Sequence, residues 1–215
     1  PSAVPMAVTR LTLDLSRKVP LRATTVETRV VRDGMRVQAV EAVVAVDGVE
    51  VSRATALRLR TAVDVIDEHI DVPRWPEDEP SSPPELCEPF TLNGSIKYLA
   101  CFETRRVNEA MPGRATMWFR PRNPLVTGEV PSPAVRAAMI GDMTMSAATV
   151  VGFDRYVSAN PDLTISLSRP SEGSWVALSS LVRIDRSGIG HSDGVLSDRR
   201  GRFGSTVKSM LIDPR

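Results

Sequence analysis

Cysteine is scarce in this sequence. Only Cys87 and Cys101 occur among 215 residues, so there is no disulfide framework and no all-cysteine zinc site. A reduced, cytoplasmic setting is the simpler expectation. Excess charge is also missing. The 27 basic and 26 acidic side chains leave a formal charge of +1, too even a balance for a strong pull on nucleic acid or an anionic membrane surface. No apolar run reaches the ~18–20 residues of a membrane-spanning helix, and no signal-peptide pattern opens the chain. Neither the G-x-x-x-x-G-K phosphate loop nor the dinucleotide-binding glycine pattern occurs. Finally, the chain opens Pro1-Ser2-Ala3, without an initiator methionine.

What is present is an ordinary composition, 42% hydrophobic and 25% charged, with length enough for one large domain or two small ones. Thr9 to Leu15 places leucine at every second position, the period of a half-buried strand. Thr25 to Arg32, Val37 to Val46 and Val51 to Leu59 are rich in valine, threonine and other strand formers. Asp33-Gly34 and Asp47-Gly48 separate them as hairpin signals. Residues 61–95 change character: Pro73, Pro76, Pro80, Pro83, Pro84 and Pro89 stand among Glu77, Asp78, Glu79 and Glu85. That density of proline and charge makes a linker or a surface strap. Strands resume over 96–107 and 114–121.

One helix is expected next, from the N-cap Ser132 and the first-turn Pro133 to Gly152. Between Arg136 and Asp154 its only charged residue is Asp142, so most of its surface should be buried. Gly141 costs ~1 kcal/mol in a helix interior, and close packing on a sheet accounts for it. Met139, Met143 and Met145 are core residues that could also line an apolar tunnel; Trp118 and Trp175 also read as core. Strands close the chain at 163–169, 175–184, 188–196 and 203–212.

The two strand blocks repeat each other. Leu11-Thr12-Leu13-Asp14-Leu15-Ser16-Arg17 lies over Leu163-Thr164-Ile165-Ser166-Leu167-Ser168-Arg169, five of seven positions being identical at an offset of 163 − 11 = 152. In the second copy a strand from Arg114 and the helix come first. Their counterparts in the first copy would begin at 114 − 152 = −38. The expectation is therefore a natural protein with about 40 or more residues ahead of Pro1.

The segments Trp118-Phe119-Arg120-Pro121, Pro124-Leu125-Val126-Thr127-Gly128-Glu129, Asn160-Pro161-Asp162-Leu163-Thr164-Ile165 and Arg169-Pro170, with Arg32-Asp33-Gly34 and Val51-Ser52-Arg53-Ala54-Thr55-Ala56 in the first copy, together resemble the acyl-CoA thioesterase II type and its thioesterase-like relatives. The resemblance implies an α+β double hotdog, each antiparallel sheet wrapping a central helix. Residues 1–60 would be a first hotdog lacking its leading strand and helix, and 96–215 a second. It also implies hydrolysis of acyl-CoA with no cofactor and no metal, and it allows homodimers of double hotdogs.

In that family an Asp on the helix, a Thr at the start of the next strand and a Gln on the last strand hold a water. These positions fall on Asp142, Asn160 and Lys208; one is kept and two differ. A carboxylate on an apolar stripe loses hydration, and leaving it unpaired costs several kcal/mol, so Asp142 needs a partner or a task. As a site, Asp142 takes a proton from water attacking a thioester, with Asn160 as donor. The competing reading is a buried Asp142–Lys208 ion pair that only shapes the core. A non-catalytic hotdog that binds acyl-CoA or an acyl carrier is the alternative function. A hydratase is disfavoured because no histidine stands near Asp142.

Thr164 and Thr206 are reserve hydroxyls, more simply read as strand threonines. Gly190-His191-Ser192-Asp193-Gly194 matches the G-x-S-x-G elbow, but strands on both sides and no later histidine argue against it. His69 reads as a solvated side chain. A longer encoded protein is the expected outcome when the intact mass of the purified natural protein is compared with that of this chain; equal masses would remove the expectation.

Overall fold

The computed structural model describes residues 4–63, 65–73, 80, 82–91 and 97–215. Of the residues that mark the strap, Pro76, Glu77, Asp78 and Glu79 lie outside the described residues. Chain order runs β1 (Met6–Asp14), β2 (Thr24–Asp33), β3 (Val37–Val46), β4 (Val49–Arg60), β5 (Glu88–Pro89), β6 (Phe102–Arg106) and β7 (Arg114–Pro121). It continues with α1 (Pro133–Gly141), α2 (Thr144–Ala147), β8 (Tyr156–Ala159), β9 (Asp162–Leu167), β10 (Val176–Ile184), β11 (Ile189–Asp198) and β12 (Gly201–Pro214). All of these strands join one antiparallel sheet, ordered β2-β3-β4-β1-β9-β12-β11-β10-β7-β6-β5, with β8 paired to β12.

The first eight strands of that order form a palindrome about the β1–β9 seam. At the seam Thr12 lies opposite Thr164, with Leu11 opposite Ile165 and Leu13 opposite Leu163. Since 164 − 12 = 152, Thr12 meets its own repeat equivalent across a local twofold, and the two hydroxyls stand 3.4 Å apart. The offset carries β3 onto β11 end for end (37 + 152 = 189, 46 + 152 = 198) and the start of β4 onto the start of β12. Even the irregularity repeats: the β3–β4 ladder slips between Val44 and Ala45, the β11–β12 ladder between Leu196 and Ser197. A conserved slip of this kind is a designed bend, since a bulge re-aims every side chain beyond it.

The two halves are covered differently. On the β7–β12 half, Met117, Phe119, Ile165, Leu178, Leu196 and Phe203 pack against Ala137 and Ile140 of α1. On β1 to β4 only Gln38, Val46 and Val51 are buried, and β2 is exposed along all ten residues. No described helix lies on that half.

Trp118 and Trp175 are buried, but not under the helix. Alternation along β7 sends Met117 and Phe119 to the helix side and Trp118 to the opposite face. There it joins Cys87, Trp175 and Ala177 beneath the strap. The Trp118 indole donates to Ser82 O at 2.9 Å, and Arg105 donates to Pro84 O at 3.2 Å. Arg105 and Arg120 stack on Trp175 with Glu103 between them. Residues 82–87 of the strap thus cover the outer face of the sheet here. Residues 97–101, expected as strand, form a 3₁₀ turn instead.

The expected helix from 133 to 152 is broken. α1 stops at Gly141, and only the single turn α2 follows, ending at Ala147 rather than Gly152. Side chains of β12 cause the break. Thr206 donates to Gly141 O at 3.2 Å, and Lys208 donates to Asp142 O at 2.6 Å. Carbonyls captured from the side are lost to the helical ladder. Gly141 is where the approach is closest, since a Cβ there would lie 3.2 Å from Thr206 Oγ1 and 3.3 Å from Ile165 Cδ1.

One buried ion pair locks the far end of the β10–β12 sheet. Asp198 is fully buried and receives Arg169 in a fork at 2.6 and 2.7 Å, plus the backbone N–H groups of Glu172 and Arg200, each at 2.8 Å. Burial pushes the Asp198 carboxyl up, but the Arg169 hydrogen bonds and both N–H groups outweigh it, leaving the pKa below the usual carboxylate range. A depressed folded pKa gives stability that is present above the unfolded value and lost as pH falls through the folded one. Asp198→Asn should therefore cost about 3 kcal/mol and lower the thermal midpoint by roughly 6–12 °C. Its penalty should shrink in melts run below about pH 4; an unchanged midpoint at neutral pH would show the pair to be dispensable.

Candidate active site

The site is built where α1 ends. Ser132 caps its start, accepting from the Val135 N–H at 3.3 Å, and Pro133 occupies the first turn. Nine residues later the chain reaches Asp142, the C-cap, turned out of the ladder. The negative end of the helix dipole meets the Lys208 ammonium there, which favours a cation at this place.

Two donors converge on one carboxylate oxygen. Lys208 Nζ lies 3.0 Å from Asp142 Oδ1, and Asn160 Nδ2 donates to the same atom at 3.1 Å. The three residues picked from the sequence are thus brought together, from the helix end, the turn before β9 and the last strand. Their exposures differ sharply: the Lys208 side chain is 4% accessible and that of Asp142 37%. The ion pair of the competing reading is formed, with its ammonium buried and its carboxylate partly exposed. The ammonium is sealed beneath the sheet–helix contact, while the carboxylate faces solvent.

Each partner is placed by local structure. Thr206 and Lys208 share the helix side of β12 because they are two residues apart. Asn160 sits in the tight link from β8 to β9, where Pro161 O accepts from the Leu15 N–H at 2.7 Å and Asp162 Oδ1 accepts from the Ser209 N–H at 2.9 Å. The β1 end of the first repeat thereby steadies the segment that carries Asn160.

Thr206, read as an ordinary strand threonine, holds the helix end instead. Thr164 lies at the seam with Thr12 and does not touch Asp142. Ser192 is fully buried in β11 and shares a 2.7 Å hydrogen bond with Thr144; His191 points to the opposite face, 3.6 Å from Asp193. No nucleophile elbow forms there. Gly194 is glycine for a packing reason: a Cβ would fall 2.6 Å from Thr206 and 2.7 Å from Leu178.

Tyr98 belongs to the surroundings of the site and was not singled out from the sequence. Its ring packs edge-on against Phe102 at 5.2 Å. Burial, and next the negative charge of Asp142, push its hydroxyl up to about 12. The group stays protonated at ordinary pH and can only donate or accept as a neutral phenol. No periodicity marks a single tyrosine in a turn, so sequence pattern had no means of finding it. Among the described residues no cluster of three or more His, Cys, Asp or Glu is gathered as a metal site would need, and no helix is long and apolar enough to cross a membrane.

Comparison with known proteins bears on the fold and the family. No curated protein matches the chain. Solved structures do. An acyl-CoA thioesterase II from Mycobacterium marinum superposes with a TM-score of 0.69 at 17% identity, covering 98% of this chain and 82% of that one. The tesB protein of Mycobacterium avium subspecies paratuberculosis gives 0.70 at 19%, covering 99% and 81%. A conserved protein of unknown function with a hot dog fold from Alicyclobacillus acidocaldarius gives 0.73 at 14%, covering 96% and 78%. At such identities the likeness establishes the fold: a mostly antiparallel hotdog sheet with few helices. The family model of the acyl-CoA thioesterase C-terminal domain matches residues 68–212, and the chain therefore belongs to the acyl-CoA thioesterase family that this domain defines.

Proposed function

We propose that this chain hydrolyses acyl-CoA thioesters to the free acid and CoA, with Asp142 activating the attacking water. The observation that supports this most is the convergence of Asn160 and Lys208 on Oδ1 of a half-exposed Asp142. With Oδ1 held, Oδ2 is oriented to accept a proton from water. The water oxygen attacks the thioester carbonyl as its proton passes to Asp142, and the tetrahedral oxyanion collapses by breaking the C–S bond, the departing CoA thiolate taking the proton from Asp142 and restoring the carboxylate. Asn160, whose amide is fixed by Asp142, steadies the water from the side. Lys208 holds the carboxylate in place from below.

The architecture we propose for this chemistry is a double hotdog, 1–60 and 96–215, joined by the 61–95 strap. The palindromic strand order, the twofold at Thr12 and Thr164 and the repeated ladder slip support it. Only one site is expected per chain: the positions equivalent to Asn160 and Lys208 are Val8 and Ala56 (160 − 152, 208 − 152), which can neither donate to nor orient a carboxylate. Pairing of double hotdogs into a homodimer is compatible with the open edge at β2.

A second reading is a non-catalytic module that binds acyl-CoA or an acyl carrier. The ammonium 3.0 Å from Oδ1 favours it, because a fixed cation competes with water for the carboxylate.

Release of free thiol from a panel of short- to long-chain acyl-CoAs separates the two. Asp142→Asn should lower kcat by roughly 10²–10⁴-fold, the usual contribution of a general base. Equal turnover by the variant would remove Asp142 from the mechanism, and binding without release by the wild type would establish the module. Lys208→Gln should raise kcat, since it removes the cation that competes with water for Oδ1. A fall would give the lysine a catalytic share of its own.

A further inference from the structure

Beside the first turn of α1 lies a cavity of about 370 Å³, bordered by the 121–131 loop and Ser174. Pro121, Pro124 and Val130 give it apolar walls, Arg122 and Arg136 bring two guanidinium groups to it, and Glu129 adds one carboxylate. Arg136 and Arg169 are used very differently. Arg169 is saturated by its fork to Asp198 and by Gly201 O. Arg136 reaches only Ser171 Oγ, at 3.1 Å, and its buried Nε has no partner. It makes no ion pair with a described residue, and burial draws its pKa down, opposed only by the distant charge of Asp198. A guanidinium carries five N–H donors in a rigid fork suited to phosphate. Here most of them await an acceptor at the edge of an open cavity.

The spacing to the site has the length of a known arm. Arg136 precedes Asp142 by six residues, about 9 Å along the helix axis at 1.5 Å per residue, and a long helical side chain leaning toward the helix N-terminus adds to that span. The pantetheine arm of CoA runs through about thirteen bonds from sulfur to the first phosphate, comparable to four residues of extended backbone or ~14 Å. We propose that Arg136 and this cavity receive the phosphate at the far end of the pantetheine arm when the thioester carbonyl sits at Asp142. This rests on the thioesterase reading above and adds a specificity-determining residue to it. The same phosphate is carried by CoA and by the prosthetic arm of an acyl carrier, so the arm itself is what the site recognises.

The test compares kcat/KM of the wild type and Arg136→Met on thioesters of one acyl group with CoA, 4′-phosphopantetheine and pantetheine. Loss of a hydrogen-bonded charge contact predicts a roughly ten- to hundredfold fall in efficiency on the two phosphorylated thioesters relative to acyl-pantetheine. An unchanged ratio overturns the proposal. A loss confined to acyl-CoA overturns it too, by moving the contact to the nucleotide. Because Arg136 is partly buried, Arg136→Lys serves as a second variant; it keeps the charge without the fork and should show an intermediate ratio. Calorimetric titration with CoA alone separates this inference from the catalytic one. Arg136-dependent CoA binding by a protein that turns over no thioester would retain the phosphate site and reject hydrolysis. CoA bound equally by wild type and Arg136→Met would reject the phosphate site whatever the turnover.

Discussion

The antiparallel seam between β1 and β9 is the interaction on which the other features rest. It joins the two repeats into one sheet through Thr12 and Thr164, residues that occupy the same place in each copy. An antiparallel pair between equivalent strands has a local twofold by construction, so the remaining strands must follow in mirrored order. The seam also has a local effect. Where it ends, Leu15 ties down Pro161, and the neighbouring Asn160 is held within reach of Asp142. A connection between two distant stretches of chain thus sets the position of a side chain in the candidate site.

A second constraint acts across the sheet. Successive inward positions on β12 carry Thr206 and Lys208, and both use backbone carbonyls of α1 as acceptors. Helix and strand are bonded to each other at the place where the helix fails. The failure leaves Asp142 half-exposed at a helix terminus above a sealed ammonium. A carboxylate in mid-helix would present its side chain alone; at a terminus the charge, the carbonyl and the cation form one unit.

Much of the fold was legible because it rests on local signals. Alternating leucine and valine with Asp-Gly turns marked β1 to β4, and the 152-residue offset marked their counterparts. The helix start was legible from Ser132 and Pro133, which cap through their own neighbours. Its end was not. Gly152 is a reasonable stop on local grounds, but the helix ends earlier because side chains 65 and 66 residues away take its carbonyls. Trp118 was read correctly as core, without the face on which it is buried. Its face follows from strand alternation, but the strap that covers it follows only from contacts with Ser82 and Cys87.

The sequence by itself determined the repeat, the antiparallel meander, the lone carboxylate of the helix and the even charge, because each is a property of residue order or composition. Asp142, Asn160 and Lys208 could be named from family resemblance at matching positions. Only the tertiary structure decided that all three meet at Oδ1, that the lysine is sealed while the aspartate is open, and that Arg136 is left with unused donors beside a cavity. Those outcomes depend on which strands face which helix turn, and hydrogen bonds spanning many residues of chain carry no signature in local sequence.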